Sequence, residues 1–338
     1  MKHAAARRPA GPAIALSGLL VASAIIAVRF GSEPVSVTRA IVDPTSLDRL
    51  ILVDVRLPRV VLAALAGGGL AAVGAAYQAL LRNPLAEPFV LGVSGGAALG
   101  ATTVIALGLG ASTVLGAALL PAAAFVGGLG ATLLVYGVAR DARAESTGTS
   151  ILLAGVMVNA VASALITAQK TLVSPSRALQ LLRWLTGAIE IPSPLSLALV
   201  GGYVVAGIAV LLADAGRLNL LALGDETAET LGVDVRALER RVFLASSFVV
   251  GAIVSVTGMI GFVGLVVPHL VRRVSGPDHR RLLPFSILLG ASALVLCDLA
   301  ARLVLRWTGD ALPVGAVTAL LGAPVFLVLL RRSTRSLA

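Results

Sequence analysis

The sequence predicts an all-α integral membrane protein of about ten transmembrane helices, and three observations carry that expectation. Hydrophobic residues make up 57% of the 338 positions and charged residues 13%, against about 45–50% and about 25% in soluble domains. Glycine is abundant, with 36 copies, while aromatics are only 4%. Small residues let membrane helices approach closely where lipid removes the hydrophobic drive for association. Finally, apolar runs of bilayer length recur along the chain and end in Arg or Lys, as membrane topology requires.

Taken in order, the apolar runs place helices at about 12–29, 59–81, 88–108, 113–139, 149–169, 193–213, 240–257, 258–273, 282–305 and 313–331. Each is near the ~20 residues that cross a hydrocarbon core. Lys2, Arg7 and Arg8 ahead of the first run also fit a signal peptide; the helix is read as retained. Gly92, Gly96 and Gly100 form a small-xxx-small series in the third helix. Only Thr257-Gly258 separates the seventh helix from the eighth. The whole chain, 1–338, reads as one transmembrane domain with two sizeable polar connections. Residues 30–58 form a polar loop on the outer side. Residues 214–241 form the longest inner loop and hold six of the 17 acids, including Asp225, Asp234 and Glu239. There, Asp225 is expected to cap one short helix, Gly232 to end it and Asp234 to cap a second.

With both termini inside, 17 of the 27 Lys and Arg fall on the cytoplasmic side, which supports an even helix number in a bacterial plasma membrane. The net charge of +10 therefore belongs to helix ends facing lipid and cytoplasm, and nucleic acid is not an expected partner. The chain has two lysines, Lys2 and Lys170, and neither sits in a P-loop, so ATP hydrolysis is not its own activity. A single cysteine, Cys297, excludes an internal disulfide. Histidines at 3, 269 and 279 form no metal motif. No cofactor is expected.

Polar punctuation at membrane depth marks a pathway or a helix interface. It appears in "GGGLAAVGAAYQALLRNPLAEPFVLGVSGGA" at 67–97 and "GMIGFVGLVVPHLVR" at 258–272. With "RLPR" at 56–59, "LGDETAETLGVDV" at 223–235 and "LPVGAVTALLGAPVFLVLL" at 312–330, these segments resemble five motifs of one family, in order. They are similar to the permease subunits of ATP-binding-cassette importers for ferric siderophores, haem and vitamin B12. The resemblance runs from about residue 50 to the C-terminus. It implies the type II importer fold and a homodimer with its path on the dimer axis. It also implies a cytoplasmic P-loop ATPase dimer and a periplasmic or lipoprotein substrate-binding protein as partners. The cargo would be an iron chelate or cobalamin. A stand-alone secondary transporter of a small solute is the alternative.

By that resemblance Gly224, Asp225, Glu226, Ala228, Leu231 and Gly232 contact the ATPase. Arg56, Arg59 and Arg302 would receive carboxylates of the binding protein. Arg302 also follows Asp298 at i,i+4, so an ion pair within the helix is the competing role. Arg82, Asn83 and Pro84 end the second helix, where Pro84 disfavours helix at Asn83. Gln78 and Asn159 either line the path or bond a neighbouring helix. Arg177 and Arg183 add positive charge to the outer connection 170–190, beside Trp184.

Overall fold

The computed structural model describes residues 10–89, 91–109, 114–141, 147–308 and 312–334. Lys2, Arg7, Arg8, Arg143 and Arg335, which enter the charge count above, lie outside the described residues. The helices are α1 (Ala10–Arg29), α2 (Val37–Val42), α3 (Leu47–Leu50), α4 (Leu57–Leu80), α5 (Val93–Leu107), α6 (Val114–Asp141), α7 (Thr147–Leu172) and α8 (Pro175–Leu185). They continue with α9 (Pro194–Ala213), α10 (Ala215–Leu221), α11 (Asp225–Thr230), α12 (Val235–Thr257), α13 (Val263–Ser275), α14 (His279–Thr308) and α15 (Val314–Thr334).

Ten of these, α1, α4–α7, α9 and α12–α15, coincide with the ten expected helices. Seven are long and apolar enough to cross a membrane unaided. Among the rest, α13 is only 13 residues long, because the expected helix start at Gly258 is not helical. Gly258 and Phe262 both take positive φ, at 65° and 68°, and the chain between them is irregular.

α4 is the axis of the bundle. Every residue from Ala66 to Leu80 is buried, as expected for a helix apolar on all sides. It packs against α14, α13, α9 and α12. Glycines make the approach possible. A Cβ on Gly67 would overlap the Gly290 carbonyl of α14, and one on Gly74 would overlap the Gly264 carbonyl of α13. The Gly96 and Gly100 series does the same between α5 and α6, against Gly127 and Ala123. Gly74→Ala should therefore force α4 and α13 apart. We expect a loss of about 1–3 kcal/mol, the range for overpacking, read as a lower thermal midpoint in detergent. An unchanged midpoint would mean that α13 tilts freely.

The 30–58 connection is more ordered than a polar loop. Ser36 caps α2 by accepting from Arg39 N, and Ser46 caps α3 by accepting from Arg49 N. From Leu47 a π-helical turn over Ile51–Arg56 feeds directly into α4, giving one run to Leu80. In the 170–190 connection, Pro175 opens the amphipathic α8, which buries Leu181 completely.

Three irregular segments meet near α8. Ala188 N–H donates to the Thr257 carbonyl at 2.8 Å, and Gly315 N–H donates to the Gly187 carbonyl at 3.1 Å. Gly187 has φ 71°. A Cβ there would strike the Met259 carbonyl, one on Gly258 the Trp184 carbonyl, and one on Gly315 the Thr186 carbonyl. Broken backbone within a membrane bundle is tolerated where protein satisfies it, and here each segment satisfies another.

Apolar side chains face outward along α7 (Leu153, Met157, Val161, Leu165) and α15 (Leu320, Leu321, Leu327). In a soluble protein such stripes would drive aggregation; in a bilayer they meet lipid or another subunit.

Candidate functional site

The charged residues of the candidate site gather at the two ends of the bundle. At the α11 end, α4 stops at Leu80 and Arg82 takes φ 47°. Asn83 then folds the chain: its Oδ1 accepts from Leu85 N at 2.9 Å, and its carbonyl accepts from Ala86 N at 3.1 Å. This is the Asx turn that Asn before Pro favours. Connection 81–92 is held from two sides. Asn159 of α7 donates to the Phe89 carbonyl at 2.6 Å, and a glycine at position 95 leaves room for its side chain. Gln78 of α4 donates to the Gly264 and Leu265 carbonyls of α13 at 3.4 and 3.2 Å. Both residues therefore bond a neighbour in this structure.

The 214–241 segment has one more helix than the two short ones expected. Asp214 is 2% exposed and accepts from Arg217 and Arg241, which ties the end of α9 to α10 and α12. Asn219 of α10 donates to Asp278 at 2.7 Å and accepts from His279 N at 2.8 Å. The Asn219 bond leads the interactions that hold the Asp278 carboxyl below its usual range. α10 is thus braced against the start of α14.

The capping of α11 differs from expectation. Gly224, with φ 113°, precedes the helix, and no side chain caps it. Asp225 is already helical, and its carboxylate instead accepts from Arg82. Gly232 does end the helix, with φ 85°, where Val233 N–H returns to the Ala228 carbonyl at 2.9 Å. Asp234 caps α12 by accepting from Ala237 N at 2.9 Å. Ala228 is fully buried while Leu223 and Leu231 stand exposed at 62% and 55%, beside the exposed Glu226. α11 is a small acidic and apolar knuckle on a fixed base.

At the other end, the three arginines of the expected basic rim are mostly not on the surface. Arg56 is 4% exposed and Arg302 6%. Arg56 donates to the carbonyls of Val28 and Arg29 at 2.9 Å each, and to that of Glu33. Arg302 donates to the Ala27 carbonyl at 3.2 Å. The last carbonyls of a helix have no partner within it, and these two guanidinia supply the donors for α1. Neither side chain, as placed here, is available for docking. The Asp298–Arg302 ion pair is present at 2.9 Å. Asp298, fully buried, also accepts a two-pronged contact from Arg59 at 2.9–3.2 Å. Arg59 keeps 21% of its side chain exposed.

Beside this end lies a cleft of about 770 Å³ lined by Arg177, Gln180, Arg183 and Trp184 of α8, with Leu62 and Glu190. Arg177 donates to the Ala106 carbonyl at 3.1 Å, closing the end of α5.

Residues 19–332 match the FecCD transport family. The chain belongs to that family. A cobalamin import system permease of Halobacterium salinarum, BtuC, is 44% identical to it, covering 86% of this chain and 76% of that one. A hemin transport system permease of Yersinia pestis, HmuU, is 38% identical over 83% of each. An uncharacterized ABC transporter permease of Bacillus subtilis, YvrB, is 39% identical over 84% of this chain and 80% of its own. Among solved structures, one of a transporter assigned to the metal-chelate ABC type, inward-facing, superimposes with a TM-score of 0.84. It covers 95% of this chain and 98% of its own at 31% identity. This FecCD chain is therefore a multi-pass membrane protein with the permease fold.

Sequence reasoning missed three features of this member of the FecCD family. The Arg59–Asp298 contact joins residues 239 positions apart, and no local pattern announces it. The capture of α1 by Arg56 is equally silent. Glu87, in the 81–92 connection, buries Oε2 with no hydrogen-bond partner among the described residues; its place in a polar motif was the one available signal.

Proposed function

We propose that the chain is the permease subunit of an ATP-binding-cassette importer. It works as a homodimer with a cytoplasmic pair of P-loop ATPases and an extracytoplasmic binding protein. Its cargo is a metal chelate of the cobalamin, haem or ferric siderophore type, carried across a bacterial plasma membrane with both termini in the cytoplasm. The similarity to permeases for cobalamin and hemin supports the cargo class. ATP hydrolysis belongs to the partner.

The observation that carries the mechanism is the α11 knuckle. The chain exposes Glu226, Leu223 and Leu231 while Ala228, Leu221 and Val233 hold the segment to the bundle. A short helix of this kind seats in a groove of a partner and transmits force through its rigid base. The Asx turn at Asn83 and the α4–α5 connection lie beside it and form the inner mouth of the path. At the outer end, Arg59 is the arginine left to meet a binding-protein carboxylate. A stand-alone secondary transporter would need an ion or proton site near the midplane; Asp298 is instead fixed between Arg59 and Arg302.

Two experiments test this reading. The purified chain alone should hydrolyse no ATP, and with its ATPase it should form an ATP-hydrolysing complex. Uptake driven by an ion gradient with no ATPase present would overturn the proposal. Replacing Glu226 with Lys and Leu231 with Asp together should lower ATP-driven uptake at least about tenfold, equivalent to 1.4 kcal/mol at the contact. Insertion into the membrane should be unaffected. Full uptake by this variant would place the ATPase elsewhere.

A further inference from the structure

Arg82 and Asp225 lie 143 positions apart, yet their side chains form an ion pair. The pair joins the two pieces that transport must coordinate. Arg82 is the second residue of the 81–92 connection, and Asp225 is the first residue of α11. Arg82 holds φ 47°, a conformation that non-glycine residues rarely adopt. Its backbone is followed at once by the Asn83 turn, whose side chain binds Leu85 N. A pull on the Arg82 guanidinium therefore acts on a short, cross-linked corner rather than on slack chain. Asp225 sits on a helix whose base is fixed through Ala228 and whose start is a glycine, Gly224, at φ 113°. Glu239, near the start of α12, adds a carboxylate close enough to act on both charges.

The side chains of Arg82 and Asp225 are 44% and 46% exposed. Exposed ion pairs contribute little to stability, so a purely structural account leaves this one with almost nothing to do. Such a pair can still fix the distance between two elements that move.

We propose that Arg82 and Asp225 form the link through which movement of α11 reaches the inner mouth, Arg82 acting as a positioning residue for the 81–92 corner. When the ATPases draw α11 along, the corner carrying Asn83, Pro84 and the exposed Leu85 travels with it. The proposal rests on the reading of α11 as the ATPase contact.

The test uses the full complex of permease, ATPase and binding protein in proteoliposomes, with cyanocobalamin and haem as probes. The quantity read is cargo imported per ATP hydrolysed. Arg82→Glu and Asp225→Arg should each lower that ratio at least about fivefold, the low end of allosteric coupling factors, the ratio being read per assembled complex. The charge-reversed pair, R82E with D225R, should restore at least half of the ratio, as expected for residues that act on each other. Arg82→Lys should stay near the unaltered value. A ratio unchanged in either single variant, or no recovery in the exchange, would overturn the link.

A cargo-independent measurement accompanies it. Spin labels at positions 85 and 226, with Cys297 replaced by serine, should keep a constant separation with and without ATP. In the R82E background the separation should become ATP-dependent. A separation that changes with ATP in the unaltered pair overturns the link while leaving the import reading intact. Failure of the chain to bind any ATPase overturns the import reading, and the link with it.

Discussion

Asp298→Ala is expected to destabilise the protein by about 3–5 kcal/mol, the range for removing one partner of a buried ion pair. The carboxylate is fully buried and serves both Arg59 and Arg302. Its loss leaves two guanidinia facing each other, with Arg56 nearby as a further positive charge acting on Arg302. Arg302 cannot turn to water without releasing the Ala27 carbonyl at the end of α1. The measurement is the thermal midpoint of the purified permease in detergent, beside a double variant, Asp298→Leu with Arg302→Met. That double variant removes charge of both signs and should recover part of the loss. A midpoint unchanged in Asp298→Ala would show that the cluster is hydrated and contributes nothing.

Gly258→Ala should be comparably damaging for a different reason. Gly258 holds φ 65° and ψ −159°, a region essentially reserved for glycine, where strain costs about 1–3 kcal/mol. The new methyl would also overlap the Trp184 carbonyl, adding overpacking of about 1–3 kcal/mol. The expected sum, about 2–6 kcal/mol, should appear as poor yield of folded protein in the membrane and a lowered midpoint. Gly261→Ala is the control, since its φ is not positive and nothing lies within 4 Å of a Cβ there. Equal midpoints for the two variants would remove the special role assigned to Gly258.

What the sequence disclosed and what it hid divide along a physical line. The long helices were legible because bilayer thickness sets both their length and the basic residues at their ends. The end of α11 and the start of α12 were legible through Gly232 and Asp234, whose stop and cap roles are local, whereas α10 was not. Asp225 misled because an acid at a helix start serves equally as a cap or as a partner for a distant cation, and Arg82 decided the matter. Arg56 and Arg302 read as surface residues in the same way, although both are buried. A charge near a helix end reads as surface, but three-dimensional closure placed carbonyls of α1 and Asp298 beside them. The break before α13 was written in Gly258, yet nothing local said that five residues would leave the helix.

The junction of residues 186–188, 257–259 and 315 also bears on how the chain is built. Its hydrogen bonds join Gly187 to Gly315 and Ala188 to Thr257, so no two of the three segments can complete it. During synthesis the first segment waits through α9–α12 for its second partner and through α13 and α14 for its third. Until α15 arrives, the Gly187 carbonyl lacks the donor that Gly315 later provides. The final helix is thus a closing piece as well as one more span. A chain halted before residue 315 would keep nearly all its apolar surface and its topology signals, yet hold an open polar seam at Gly187, on the side that α15 covers. Such a seam gives membrane quality control a local, recognisable mark of an unfinished protein.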